Sequence, residues 1–109
     1  MLMRTLGSII RELREAQSWP QRKLASELDM DVAVLSRIEN ENKFPKKRID
    51  EIIEVIARLF NVSKEELKEA YLSDEIASLL VSQPDYENVL KASKEKVNYL
   101  RSKELVKAI

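Results

Sequence analysis

A chain of 109 residues is the size of one ordinary domain, long enough to bury a core without covalent staples and too short for two enzyme-sized folds. It has no cysteine and no histidine, which removes disulfides, thiolate metal sites and the commonest general base, and fits a reducing cytosol. Nineteen basic side chains cancel nineteen acidic ones, so no global field draws the protein to nucleic acid and any such binding must rest on local charge.

No apolar run approaches the roughly 18 to 20 residues of a membrane span, and Met1 to Thr5 carries no signal-peptide core. A cytoplasmic protein without a membrane partner is expected. One glycine and three prolines among abundant Leu, Ile, Ala, Glu, Lys and Arg predict an all-α chain.

The prolines fall where helical periodicity breaks. Leu6, Ile9, Ile10 and Leu13 recur at helical spacing, with Arg4, Arg11, Glu12 and Glu15 on the other face, and predict a first helix. From Gln21, the residues Leu24, Ala25 and Leu28 form a short second stripe that ends at Asp29-Met30-Asp31, where Asp31 is a good N-cap for a third helix. Val34, Leu35 and Ile38 make the stripe of that helix. Two short helices separated by so few residues must cross at a steep angle. The stretch Asn40 to Pro45 reads as loop, because asparagine tolerates left-handed backbone and proline bars helix at the residue before it.

Ile49, Ile52, Ile53, Ile56, Leu59 and Phe60 predict a strongly amphipathic fourth helix, broken at Asn61-Val62-Ser63. Ser63 with Glu66 has the spacing of a capping box that starts a fifth helix. Its stripe, Leu67, Ala70, Tyr71, Ile76, Leu79 and Leu80, runs up to Gln83-Pro84, with a kink expected near Ser73-Asp74. Asp85 can cap a last helix, in which Tyr86, Leu90, Ser93, Val97 and Leu100 step as a heptad seam; dimerisation through Tyr86, Leu90, Val97 and Leu100 is its preferred role.

The segment Gln21 to Glu39 has the spacing of a helix-turn-helix. Ala25 must be small where the second helix crosses, and Leu24, Leu28, Met30, Leu35 and Ile38 fill the wedge between the two helices. That leaves Val32, Ala33, Ser36 and Arg37 facing outward, where an inserted helix would meet base edges. Arg37 can give two hydrogen bonds to a guanine, and Val32 and Ala33 offer apolar surface to thymine methyls. With so few hydrogen-bonding groups, DNA shape would add to specificity.

Leu6-Gly7, Arg11 to Arg14, Gln21 with Leu24-Ala25, Leu35-Ser36-Arg37-Ile38-Glu39, Pro45 and Leu59 to Ser63 together resemble the phage-repressor-like (Xre-type) helix-turn-helix regulators. The resemblance spans about Leu6 to Leu67. It implies a five-helix DNA-binding bundle, placed over residues 1–72; residues 73–109 carry no motif of the family and read as a C-terminal helical extension. It implies a dimeric, sequence-specific regulator, commonly a repressor, on double-stranded DNA with a near-palindromic operator. It implies a structural charge pair between Arg14 and Glu39, a phosphate contact at Gln21, and phosphate contacts just after the recognition helix, where Lys43, Lys46, Lys47 and Arg48 cluster without an acid among them. Arg22 and Asn40 are grouped with these phosphate contacts.

Three positions depart from the family's pattern. Pro20 stands where Ser or Thr is usual and cannot cap, so Trp19 packing is expected to hold the start of the second helix. Asp29 replaces a turn glycine, at some strain. Asp31 replaces Ser or Thr at the recognition-helix cap and would repel a nearby phosphate. Without His, Cys or a glycine-rich loop, and with acids scattered on solvated faces, no enzymatic activity, metal or cofactor is expected. The rival reading is an antitoxin or anti-regulator whose C-terminal helices bind a protein partner, for which the neutral charge and the extension leave room.

Overall fold

Thr5 ends extended backbone and begins helix, its Oγ1 accepting the Ser8 N–H, and α1 (Leu6–Ala16) comes directly after it. In this computed structural model, which describes residues 4–108, the reading of the N-terminal five residues falls partly outside the described part. The described residues form six α-helices and one 3-10 turn, with no strand among them. After α1 come α2 (Gln21–Glu27), α3 (Val32–Glu41), the 3-10 turn Lys46–Arg48, α4 (Ile49–Phe60), α5 (Lys64–Leu80) and α6 (Tyr86–Ala108). None of these helices is long and apolar enough to cross a membrane.

Left-handed residues punctuate the first four helices: Ser18, Asp29, Asn42 and Asn61 all have φ between 50° and 57°. Such residues stop a helix because their N–H groups turn back onto its last carbonyls. Asn42 does this for α3, its N–H and that of Lys43 returning to the Ile38 and Arg37 carbonyls. The expected loop from Asn40 is therefore shorter than the sequence suggests. Asn40 and Glu41 are helical, and the break comes where an asparagine adopts the left-handed conformation, not at the first asparagine in the run.

Three further local expectations are corrected. Asp31 occupies the N-cap position of α3, but its side chain makes no capping hydrogen bond. The capping box is half made: Ser63 Oγ accepts the Glu66 N–H, but the Glu66 carboxylate does not come back to the Ser63 N–H, and the Ser63 hydroxyl donates to Glu65. Finally, α5 is continuous through Ser73-Asp74. Ser73 spends its hydroxyl on the Ala70 carbonyl and Asp74 is recruited to bonds outside the helix, so neither competes for the helix's own ladder.

One core gathers the apolar stripes of the first four helices and the first turns of α5, while Ile76 and Leu79 further along α5 are exposed. Leu6, Ile10, Leu24, Leu28, Leu35, Ile38, Ile52 and Ile56 are fully buried, joined by Ala25, Ile53 and Leu67. Each fully buried Leu or Ile contributes about 1.5–3 kcal/mol. Met30 completes the wedge between α2 and α3 from a half-buried position. Trp19 packs against Phe60 at 5.4 Å between ring centroids, with Lys23 Nζ 4.2 Å from the Trp19 ring, so aromatic packing stands beside Pro20, which offers no cap.

The chain divides into two compact units, one up to Glu75 and one from Ile76. Between Ile76 and Glu104 no residue is buried.

Candidate nucleic-acid interface

Helix α3 is oriented by a carboxylate that points inward. The Glu39 side chain is fully buried and accepts two hydrogen bonds from Arg14, Nε to Oε2 at 2.8 Å and Nη2 to Oε1 at 2.9 Å. Gln21 Nε2 donates to the same Oε1 at 3.0 Å, and Arg14 Nη1 donates to the Trp19 carbonyl at 2.7 Å. One network thus joins α1, the turn after it, the start of α2 and α3. The hydrogen bonds to Glu39, opposed in part by burial, hold Arg14 protonated even more firmly than usual.

With Leu35, Ile38 and Glu39 committed to the interior, helical geometry presents the other side of α3 to solvent. Val32, Ala33 and Arg37 are exposed, and Ser36 is half-buried with its Oγ accepting from Asn40 Nδ2 at 3.0 Å. Among the described residues, the Arg37 guanidinium has no ion-pair partner within 4.0 Å and no hydrogen-bond acceptor. It is a long donor held ready by a rigid helix.

The basic residues separate into two kinds. Arg22, Lys46 and Lys47 are exposed, and Lys43 is exposed with Glu41 3.6 Å away. Arg48 is turned inward: Nη2 donates to the Leu28 carbonyl at 2.6 Å, Nη1 to the Asp29 carbonyl at 3.1 Å, and both Nη2 and Nε reach Glu51. Its guanidinium therefore holds two carbonyls of the turn that follows α2, at the C-cap Leu28 and at Asp29. The Gln21 amide is occupied by Glu39, and Asn40 is bonded to Ser36 and, at 3.5 Å, to Arg11.

Sequence reading missed the inward tasks of Arg48 and Gln21. The three-residue spacing from Arg48 to Glu51 is a readable helical ion-pair signal, whereas the carbonyls of Leu28 and Asp29 are brought to Arg48 only by the tertiary fold. Asp31 stands exposed at the start of α3, where its charge suits the helix dipole and opposes an approaching phosphate.

Removing one partner of a buried, hydrogen-bonded pair leaves the other charge uncompensated. Glu39→Ala is therefore expected to lower stability by about 3–5 kcal/mol in urea denaturation. The double variant Arg14→Met with Glu39→Leu should recover most of that loss. A Glu39→Ala protein within about 1 kcal/mol of the parent would show that the network does not hold the bundle.

Comparison with curated proteins and with solved structures gave no match for this chain. A family model described as helix-turn-helix matches residues 10–67, more than half of the chain, from the middle of α1 to the first turn of α5. The matched span holds the crossed α2 and α3, the wedge between them and the buried Arg14–Glu39 network, and the chain belongs to the phage-repressor-like (Xre-type) helix-turn-helix family of DNA-binding regulators.

Proposed function

We propose that this protein is a sequence-specific regulator of transcription, a repressor that binds a near-palindromic operator as a homodimer and reads the major groove with α3. The observation that carries the reading is the outward face of α3: an unpaired Arg37 beside Val32, Ala33 and Ser36, on a helix whose other face is locked into the core. Arg37 supplies two donors in the geometry of guanine O6 and N7, and the two small apolar side chains suit thymine methyls. Arg22, Lys43, Lys46 and Lys47 take phosphates and fix the register of the helix on the duplex. Gln21, Asn40 and Arg48 reach phosphate only by giving up bonds inside the protein, so their first task is to hold the frame.

Replacing Arg37 with alanine removes a contact worth about 1–3 kcal/mol of discrimination per half-site and touches no core residue. The variant should melt like the parent, keep salt-sensitive binding to any duplex, and lose its preferred sequence in selection from random DNA. Equal recovery of one site by parent and variant would exclude Arg37 as a base reader. Recovery of no site by the parent would overturn the reading as a whole.

Assembly rests on the second unit. Tyr86, Leu90, Val97 and Leu100 on α6 are all about half exposed, and an isolated helix without a buried face is marginal in water. A second copy of the same seam supplies the missing cover. The chain shortened to residues 1–83 keeps every core residue and should sediment as a folded monomer where the full chain sediments as a dimer. A dimeric shortened chain at micromolar concentration would move the contact to the first unit or to α5.

A further inference from the structure

The first four N–H groups of a helix have no partner within the helix. In α1 each finds one outside it. The Ser8 N–H goes to Thr5 Oγ1 and the Ile9 N–H to the Thr5 carbonyl. The other two leave the local chain. The Gly7 N–H donates to Asn42 Oδ1 at 2.8 Å, and the Leu6 N–H donates to Asp74 Oδ2 at 2.8 Å. Asn42 Nδ2 then donates to that same Asp74 oxygen at 3.1 Å. The start of α1, the residue that ends α3 and the Asp74 turn of α5 are closed into one ring of hydrogen bonds.

Three residues before Asp74, on the same face of α5, Tyr71 meets Phe44 edge to face with 5.9 Å between ring centroids. Burial pushes the Tyr71 hydroxyl above its ordinary pKa, with help from Glu75 and Asp50. Helix α5 thus holds Asn42 with one side chain and Phe44 with the other, on either side of Lys43. Asn42 itself does two jobs. Its left-handed backbone, φ 55° and ψ 34°, ends α3, and its amide bridges α1 to Asp74.

We propose that Asp74 is a positioning residue for DNA recognition: with Tyr71 it clamps the segment Asn42–Phe44, and so fixes the C-terminal end of α3 and the direction of Lys43 and the following turn. The proposal rests on the reading of α3 as the recognition helix. No contact to DNA by Asp74 itself is involved; a carboxylate beside phosphate would repel it. Its effect passes through Asn42.

Two substitutions separate the clamp from general stability. Asp74→Ala removes the acceptor shared by Leu6 and Asn42. Asn42→Gly keeps the left-handed backbone, which glycine adopts freely, and deletes the bridge alone. Amide hydrogen exchange on the free protein should accelerate in Asp74→Ala at Leu6 and also at Asn42 and Lys43, and in Asn42→Gly at Gly7 and Lys43. Preference for a duplex selected by the parent over an unrelated duplex of equal length should fall about five- to tenfold in either variant. The salt slope of unspecific binding should fall by no more than the one phosphate contact assigned to Lys43, about 0.9.

Faster exchange confined to α1, or an unchanged preference in variants that remain folded at the assay temperature, would overturn the proposal. If Asp74→Ala does not fold, Asn42→Gly decides alone. If the parent prefers no duplex, base reading by α3 fails, and the exchange at Asn42 and Lys43 still decides whether the clamp exists.

Discussion

Glu39 brings a negative charge into a place where its side chain meets no water, and the geometry of the DNA-binding unit depends on how that charge is satisfied. Burying an ionised carboxylate costs several kcal/mol unless close donors replace its hydration. Arg14 and Gln21 do so from two different helices, and Arg14 at the same time holds the Trp19 carbonyl of the turn between them. An apolar contact could slide by a fraction of a helical turn at little cost. A forked guanidinium on a carboxylate cannot, because both of its bonds are directional. The network thus contributes orientation more than net stability, and orientation is what a recognition helix requires.

A second grip lies at the C-terminal end of α3. Gly7 is buried against the Ile38 carbonyl, and a Cβ built there would stand 2.0 Å from that oxygen, closer than any side chain tolerates. The chain's only glycine is thus used where α1 and α3 must approach at backbone distance. Arg14 holds α3 to α1 at one point, and Gly7 with Asn42 holds it at another. Arg48 does the corresponding task for the turn, with its guanidinium on the Leu28 and Asp29 carbonyls just after α2.

Much of this fold is legible from periodicity alone. The stripes Leu6-Ile10, Leu24-Leu28, Leu35-Ile38 and Ile52-Ile56 are the core, because the face an amphipathic helix buries recurs every three to four residues. The outward face of α3 comes from the same counting. Less legible are features that depend on a choice among equivalent local signals. Asn40 and Asn42 are the same residue type two positions apart, and only packing of Asn42 against Gly7 and Asp74 selects it as the helix stop. Glu66 has the right spacing for a reciprocal cap, yet only its own N–H is engaged, by Ser63 Oγ, and its carboxylate does not return to the Ser63 N–H. Arg48 reads as one member of a basic run, since nothing local shows that two backbone carbonyls twenty residues earlier will face it.

Charge completes the picture. The protein as a whole is neutral, so attraction to DNA has to come from local charge; from α2 to the 3-10 turn, the basic side chains with neither an ion pair nor an aromatic partner are Arg22, Arg37, Lys46 and Lys47, with Lys43 beside Glu41. The central claim is that these residues and the outward side of α3 form one binding face. Its most direct test is titration of the 15N-labelled protein with a duplex selected from random DNA, followed by amide chemical shifts. The account predicts that the largest changes fall on Gln21–Arg22, Val32–Arg37 and Lys43–Lys47, with α6 little affected. Changes concentrated on α6, with α3 unmoved, would contradict it.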